Sequence, residues 1–191
     1  MARGWATNIS IHSVAVSAWQ RELLQFVLEY HKAVLSRIRP SATPSQIQEE
    51  AKTAMEAVFA RTTFSKPVYE QAARRLGETG GGVFSHTVGM AVHDVGSYRD
   101  GLKPGHVFSV DPQLRVPEEH LYLRYEDTVV VTDTGVENFT SFLPMELDAI
   151  EKLVQDKGIV QMGPALAMTD RGRPRRGYAS DSGYLPCRLA P

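Results

Sequence analysis

The sequence predicts an α+β fold in which helices come first and antiparallel strands follow. In the first part of the chain, apolar residues recur three or four positions apart over two long segments, which is the spacing of amphipathic helices. After a glycine run at residues 80–82, short valine-rich segments alternate with Pro-Gly and Asp-Thr-Gly turns, which is typical of strands. The two patterns are segregated along the chain, so helices and strands are expected to form separate layers.

Length and composition indicate an ordinary globular protein. The chain has 191 residues, of which 42% are hydrophobic and 23% charged. A formal charge of -1 gives no bulk reason to expect binding to nucleic acid or to a membrane surface. The lone Cys187 excludes a disulfide framework and a thiolate zinc cluster. No secretory segment and no apolar run of the about 20 residues that cross a bilayer is evident, so a cytoplasmic location is expected.

Four helices are predicted. Ser17 caps the first, with Gln20 completing a capping box, and Arg39-Pro40 is expected to end it. Thr43-Pro44 begins the second helix, and the third covers residues 65–76. The inner face of the second helix is expected to carry Ile47, Ala51, Met55, Val58 and Phe59. The last helix starts near residue 144 and closes at residue 158, with Leu147, Ile150 and Val154 on its apolar face.

The strands and the domain boundary follow from the same patterns. Strands are predicted at residues 5–16, 83–94, 107–111, 121–132 and 136–140. Apolar periodicity is lost beyond residue 163, so we expect one domain at residues 1–163 and a basic tail at residues 164–191. The arginines of this tail are of the kind that bind phosphate-rich partners, although its glycine, proline and serine content favours a flexible segment.

Residues 84–96 carry two histidines that are candidates for chemistry. His86 and His93 are seven positions apart, an odd separation that places them on opposite faces of an ideal strand. Both can reach one site if the chain bends at Gly89. Imidazole is the commonest protein ligand of first-row metals and the usual acid or base near neutral pH. The alternative is a strand histidine that is merely hydrogen-bonded.

Two carboxylates join His86 as candidate metal ligands. Asp111 ends one predicted strand and Glu126 lies within another, where an unpaired buried carboxylate is costly. The alternatives are that Asp111 is a turn residue before Pro112 and that Glu126 faces solvent together with Arg124. A site with imidazole and carboxylate ligands suits Mn, Fe, Co or Zn, and it differs from the thiolate sites that cysteines form.

Three motifs surround these candidates and agree in order and spacing. They are His86-Thr87-Val88-Gly89 with Val92-His93-Asp94-Val95-Gly96, then Leu102-Lys103-Pro104-Gly105 with Val110-Asp111-Pro112, and finally Arg124-Tyr125-Glu126-Asp127-Thr128-Val129. Together they resemble the motifs of the Xaa-Pro aminopeptidases, the aminopeptidase P branch of the pita-bread metallopeptidases, over roughly residues 5–160. The resemblance implies a partial pita-bread fold, an antiparallel sheet covered by helices, whose first strands would precede Met1.

The resemblance also implies the members of a two-metal site. His86 would be the histidine ligand, Glu126 the bridging glutamate, and Asp111 would stand where a first glutamate is expected. His93 would contact the substrate carbonyl group, and Arg124 would orient Glu126 and contribute to substrate binding. The implied metal is Mn, with Co or Zn as alternatives.

The implied reaction is removal of an N-terminal residue that precedes proline. The implied partner is therefore a peptide with proline at its second position. Two metals about 3.5–4 Å apart would hold a hydroxide and polarise the scissile carbonyl. Asp111 would accept the proton of the attacking water and pass it to the leaving nitrogen.

Some ligand positions depart from the family pattern. Asn8 stands where a second aspartate is expected, and its amide carries no charge with which to bridge two metals. The first aspartate would precede Met1, and Asp111 is shorter than a glutamate by about 1.5 Å of reach. The largest site predicted is therefore a single metal held by His86, Asp111 and Glu126, and no metal at all is the alternative.

The resemblance, taken with these departures, leaves two functions open. One is a metal-dependent aminopeptidase, and the other is an inactive or truncated homologue with an incomplete metal site that binds a peptide or protein without catalysis. Absence of the first strands would expose a sheet edge, which predicts self-association into a homo-oligomer.

Overall fold

The computed structural model describes residues 16–76, 86–91, 93–98 and 100–156. These residues form helices α1 Ala18–Leu35, α2 Pro44–Arg61, α3 Pro67–Arg75 and α4 Leu147–Gln155, with strands β1 His86–Thr87, β2 Val107–Val110, β3 Gln113–Val116, β4 Leu121–Arg124, β5 Asp127–Val131 and β6 Val136–Asn138. A short 3-10 helix, Pro117–Glu119, joins β3 to β4. Asn8, the segments predicted before residue 16, the glycine run and the tail at residues 164–191 lie outside the described ranges.

Helix α1 begins at the predicted capping box. The backbone N–H of Ser17 donates to Gln20 Oε1 at 2.9 Å, which satisfies a donor that the helix itself leaves open. The helix ends at Leu35, four residues before the predicted stop at Arg39. It ends early because the chain tightens into turns that carry Ile38 into the core, where this side chain is buried.

The other helices pack around α1. Thr43 Oγ1 accepts the backbone N–H of Gln46 at 3.3 Å, which starts α2 where predicted. Of its predicted inner face, Ile47, Ala51 and Met55 are buried, whereas Val58 and Phe59 are partly buried. Aromatic contacts join the helices, with Phe26 edge-on to Phe59 and Trp19 stacked on Tyr69. No helix in the described ranges combines the length and apolar character needed to cross a membrane.

The strands form two antiparallel sheets. The four-stranded sheet has the order β1-β2-β5-β6, and β3 pairs with β4 in a separate hairpin. Helix α1 contacts β4, and α3 contacts β3. The core lies between these layers and includes the buried side chains of Phe108, Val110, Val129 and Val131. This arrangement confirms the predicted α+β class with antiparallel strands.

Three sequence-based predictions are wrong in detail. The strand predicted at residues 121–132 is divided, because β4 ends at Arg124 in the hairpin and β5 begins at Asp127 in the larger sheet. The strand predicted to reach Asp94 is described only at β1, after which the chain bends near Gly89 and returns to an isolated bridge with Thr87. Val154, predicted on the apolar face of the last helix, is 50% exposed.

Two glycines have left-handed backbone angles, but only one of them lies where another chain segment passes close by. Gly101 and Gly105 have left-handed φ angles of +87° and +88°, but only a Cβ at Gly101 would lie close to another group, 2.7 Å from the Ser41 carbonyl oxygen. Ser41 is itself fixed, because its N–H donates to the Leu102 carbonyl at 2.7 Å. We expect Gly105→Ala to lower the free energy of unfolding by about 1–2 kcal/mol and Gly101→Ala to lower it by about 1–3 kcal/mol more. Urea denaturation measures both, and equal losses would show that the close approach at Gly101 is unimportant.

Candidate active site

A tight turn between the two histidines is held together by Asp94. The Asp94 carboxylate accepts the backbone N–H of Val95 at 2.8 Å and that of Met90 at 2.7 Å. Hydrogen bonds from Val95, Ala91 and Met90 hold the pKa of Asp94 below its ordinary value, because they stabilise the ionised form. A Cβ at Gly89 would lie 2.2 Å from Oδ2 of this carboxylate, so any larger residue there would push the carboxylate away from its hydrogen bonds.

The turn places His86 and His93 side by side. The Asp94 N–H donates to the Thr87 carbonyl at 3.0 Å, which closes the loop between them. The two imidazole rings meet edge to face, with centroids 4.2 Å apart. The prediction that a bend at Gly89 brings both histidines to one place is therefore confirmed.

His86 is oriented by its own backbone neighbour. Its Nδ1 lies 3.2 Å from the carbonyl oxygen of Thr87, the distance of a hydrogen bond, and its Nε2 lies 3.8 Å from Glu126 Oε1. When Nδ1 carries the proton and donates to a carbonyl, Nε2 keeps a lone pair that is available to a metal. His86 therefore presents its ligating nitrogen towards Glu126.

Glu126 faces this site and not the solvent. Its Oε1 accepts the hydroxyl of Ser109 at 2.9 Å, and its Oε2 lies 3.0 Å from Nη2 of Arg124. The break between β4 and β5 turns Glu126 inward, towards the place where Ser109 pairs with His86 across β1 and β2. The solvent-facing alternative for Glu126 is wrong for this reason.

Asp111 is buried beside the same arginine. It is 1% exposed, and its Oδ2 accepts Nη1 of Arg124 at 3.2 Å and Nε2 of Gln113 at 3.1 Å. Asp111 lies directly before Pro112 in the two-residue connection between β2 and β3, and it is buried there. Arg124 thus bridges the two predicted carboxylate ligands, Asp111 and Glu126, through its two terminal nitrogens.

The metal-ligating side chains in the described ranges fit one divalent cation but not two. Two ligands that each lie about 2.1 Å from one ion are at most about 4.2 Å apart, so His86 Nε2 and Glu126 Oε1 are close enough to share one. Asp111, the third predicted ligand, is held by Arg124 instead. Within the described ranges, no three His, Cys, Asp or Glu side chains come together in a group that could hold a metal. One imidazole and one carboxylate fit a single cation, and these residues do not form a two-metal centre.

A buried pair next to the site was missed by sequence reasoning. His31 on α1 and Asp127 on β5 are 0% and 1% exposed, and His31 Nε2 lies 2.7 Å from Asp127 Oδ2. Thr140 donates its hydroxyl to the other Asp127 oxygen. Burial raises the pKa of Asp127, but the hydrogen bonds and charge of His31 together with Thr140 outweigh it, so the pKa lies below its ordinary value. The pair fixes the start of β5, directly after Glu126, to α1.

Sequence signals for the missed residues differ in strength. Ser109 on β2 precedes Asp111, the residue directly after that strand, by two positions, so an extended chain would place both on one face, which was a usable signal. His31 stands at helical spacing from Val27 and Val34, so the sequence shows a lone polar residue on an apolar helix face. The sequence does not show which residue pairs with it. Gln113 gave no signal that distinguishes it from a surface residue.

Comparisons with known proteins identify the family. The sequence pattern of metallopeptidase family M24 matches residues 1–133. The chain is 32% identical over 151 residues to an Xaa-Pro aminopeptidase of Escherichia coli (strain K12), covering 71% of this chain and 34% of that protein. It is 28% identical over 152 residues to the mitochondrial intermediate cleaving peptidase 55 of Arabidopsis thaliana, covering 73% of this chain and 29% of that protein. The chain spans about a third of the length of these relatives.

Solved structures give the same result for the fold. A putative aminopeptidase P from Bacillus anthracis superposes with a TM-score of 0.56 and 26% identity, covering 75% of this chain and 33% of that one. Aminopeptidase P from E. coli with the inhibitor Pro-Leu superposes with a TM-score of 0.56 and 28% identity, covering 75% and 36%. These likenesses confirm the partial pita-bread fold. Since the family pattern extends over most of the sequence, from the segment before α1 through β5, the chain belongs to metallopeptidase family M24.

Proposed function

We propose that this chain carries a reaction site of the Xaa-Pro aminopeptidase type, which releases an N-terminal residue preceding proline. The observation that supports it most is the meeting of three side chains, with the rings of His86 and His93 4.2 Å apart and His86 Nε2 3.8 Å from Glu126. Membership of a metallopeptidase family and the names of the relatives agree with this reaction.

His86 and Glu126 would hold one divalent cation, Mn²⁺ in the first place and Co²⁺ or Zn²⁺ as alternatives. Such a cation supplies Lewis-acid polarisation of a peptide carbonyl group. The chain's own residues prepare the ligands: the Thr87 carbonyl directs the His86 ring, and the Ser109 hydroxyl donates to Oε1 of Glu126, the oxygen that faces His86. Fixed ligands cost less conformational entropy when the cation arrives.

The remaining residues would handle the substrate. The exposed imidazole of His93 stands beside His86, where it can donate a hydrogen bond to the oxygen of the scissile carbonyl and stabilise negative charge that develops there. Asp111 would accept the proton of the attacking water, with Gln113 and Arg124 holding its Oδ2. Arg124 would also line the path of the peptide.

The second candidate is a homologue that binds peptides without metal and without hydrolysis. One observation favours it: the Arg124 guanidinium already bridges the Asp111 and Glu126 carboxylates. Two carboxylates with an arginine between them have a counter-charge and need no cation for stability. In this case His93 and Arg124 would contact the peptide, and no bond would be cleaved.

A peptide assay separates the two candidates. The chain is stripped with a chelator, reloaded with Mn²⁺, and tested for release of the first residue from an Xaa-Pro-Xaa peptide, while calorimetry measures peptide binding. Turnover that needs Mn²⁺ and is lost in His86→Ala is the expected result. Retained turnover in His120→Asn, a change at an exposed histidine whose φ of 51° asparagine tolerates, is the matched control. Peptide binding without metal and without turnover would favour the second candidate.

The proposed partner is a peptide with proline at its second position, and the cytoplasm stays the proposed location. Self-association through an exposed sheet edge also stays a prediction. Size-exclusion chromatography with light scattering tests it, and a clean monomer in dilute solution would contradict it.

A further inference from the structure

We propose that Arg124 is an internal cation that competes with a divalent metal for the carboxylates of this site. The proposal concerns the site of the proposed function and therefore rests on it, but it assigns the arginine a role that limits metal binding. It explains why the predicted ligands Glu126 and Asp111 do not form one three-donor group with His86 in the described part of the chain.

The geometry of the arginine is the first argument. Nη1 lies 3.2 Å from Asp111 Oδ2, and Nη2 lies 3.0 Å from Glu126 Oε2. One planar guanidinium thereby spans two carboxylates that belong to different segments of the chain. Arginine is permanently charged and presents its donors in a rigid fork, so the guanidinium keeps its positive charge beside these carboxylates at every pH at which the protein is folded.

The other contacts of the carboxylates are the second argument. Gln113 also donates to Asp111 Oδ2, at 3.1 Å, so the oxygen that Arg124 holds is fixed from two directions. The other oxygen of Glu126, Oε1, accepts the hydroxyl of Ser109 and lies 3.8 Å from His86 Nε2. The bridge therefore leaves Glu126 Oε1 facing His86 and ties one oxygen of Asp111, Oδ2, to the arginine.

The charge balance is the third argument. Two ionised carboxylates and one guanidinium leave a net charge of about -1, which is small for attracting a divalent cation. A cation placed between His86 and Glu126 would also meet the positive charge of Arg124 at close range. An adjacent charge changes the proton affinity of a carboxylate by about 10-fold to 1000-fold, and the same field acts on a bound metal ion.

Three variants of this chain separate the effect of the Arg124 charge on metal binding from the effects of its shape and of the chain's net charge. Arg124→Gln removes the charge and keeps a hydrogen-bond donor, whereas Arg124→Lys keeps the charge and loses the fork. Arg61→Gln removes an equal charge at an exposed side chain that lies 3.9 Å from Glu29 on the helices. The metal-free proteins are titrated with Mn²⁺ alone, with calorimetry as the readout and loss of the free Mn²⁺ signal in electron paramagnetic resonance as a check.

We expect Arg124→Gln to bind Mn²⁺ at least about 10-fold more tightly than the wild type. Arg124→Lys and Arg61→Gln are expected to stay within about 3-fold of it, because both preserve the charge at the site. Equal or weaker binding by Arg124→Gln, or no binding by any of the proteins, would overturn the proposal. Where Arg124→Gln does not fold without metal, recovery of its cooperative thermal unfolding in Mn²⁺ supports the proposal and failure to recover contradicts it.

These outcomes separate this proposal from the proposed function. Tight binding by Arg124→Gln and none by the wild type would support the competition while contradicting metal-dependent turnover of the natural chain. Mn²⁺ binding and peptide release by the wild type, with no gain in Arg124→Gln, would support the function and overturn the competition.

Discussion

Replacing His31 with leucine is expected to lower the free energy of unfolding by about 3–5 kcal/mol at pH 7. The substitution removes the partner 2.7 Å from Asp127 and leaves an ionised carboxylate at a position that is 1% exposed. Thr140 keeps its hydrogen bond to this carboxylate, but a hydroxyl carries no charge to balance it. Chemical denaturation at fixed pH measures the loss.

The effect of His31→Leu is expected to depend on pH in a defined direction. The folded-state pKa of Asp127 lies below its ordinary value, so the pair stabilises the wild type above about pH 4, and this contribution is lost as pH falls through the folded pKa. In the variant, burial without the partner raises the pKa of Asp127, so the variant gains relative stability as the pH falls. The difference between the two proteins should therefore shrink towards pH 3.

A double variant that also changes Asp127 provides the control for this experiment. The double variant His31→Leu/Asp127→Asn removes the buried charge together with its partner and is expected to be more stable than His31→Leu alone. A loss for His31→Leu under about 1 kcal/mol, or one that grows as the pH falls, would contradict a stabilising role of the buried pair.

Replacing His93 with alanine is expected to lower kcat on an Xaa-Pro-Xaa peptide by about 100-fold to 1000-fold, the usual effect of removing one donor to a developing oxyanion. The side chain is exposed and its ring contacts His86, so the free energy of unfolding should change by less than about 0.5 kcal/mol. Binding of Mn²⁺ should be unchanged, because His93 is outside the donor pair of His86 and Glu126.

His93→Gln serves as the conservative variant, since its amide retains a donor. It is expected to recover part of the kcat that His93→Ala loses. Full activity in His93→Ala would remove this histidine from the reaction, and loss of Mn²⁺ binding in that variant would make it a ligand instead.

Local signals explain most of what the sequence predicted correctly. The capping boxes at Ser17 and Thr43 depend on side chains three residues apart, so the starts of α1 and α2 could be predicted from a few letters. The bend at Gly89 was also a local inference, since two histidines at an odd spacing can meet only if the strand is interrupted. The resemblance to the Xaa-Pro aminopeptidases added the fold, which the solved structures confirm.

Long-range pairing explains most of what the sequence left out. Arg124 and Asp127 both lie in a run of strand-forming residues, and only their partners in space decide that they belong to different sheets. His31 and Asp127 are separated by 96 positions, a distance over which one sequence alone carries no pairing signal. The resemblance predicted that Arg124 orients Glu126, but the bridge to Asp111 depends on the fold of the β3–β4 hairpin and its neighbour β2.

Diffraction from crystals soaked in Mn²⁺ tests the site most directly, because anomalous scattering locates the metal without reference to activity. One peak is expected, about 2.1 Å from both His86 Nε2 and a Glu126 oxygen, with Arg124 still in contact with Asp111. The same soak of His86→Ala should give no peak. A pair of peaks bridged by Glu126, or a single peak away from His86, would contradict a one-cation site built on these two residues.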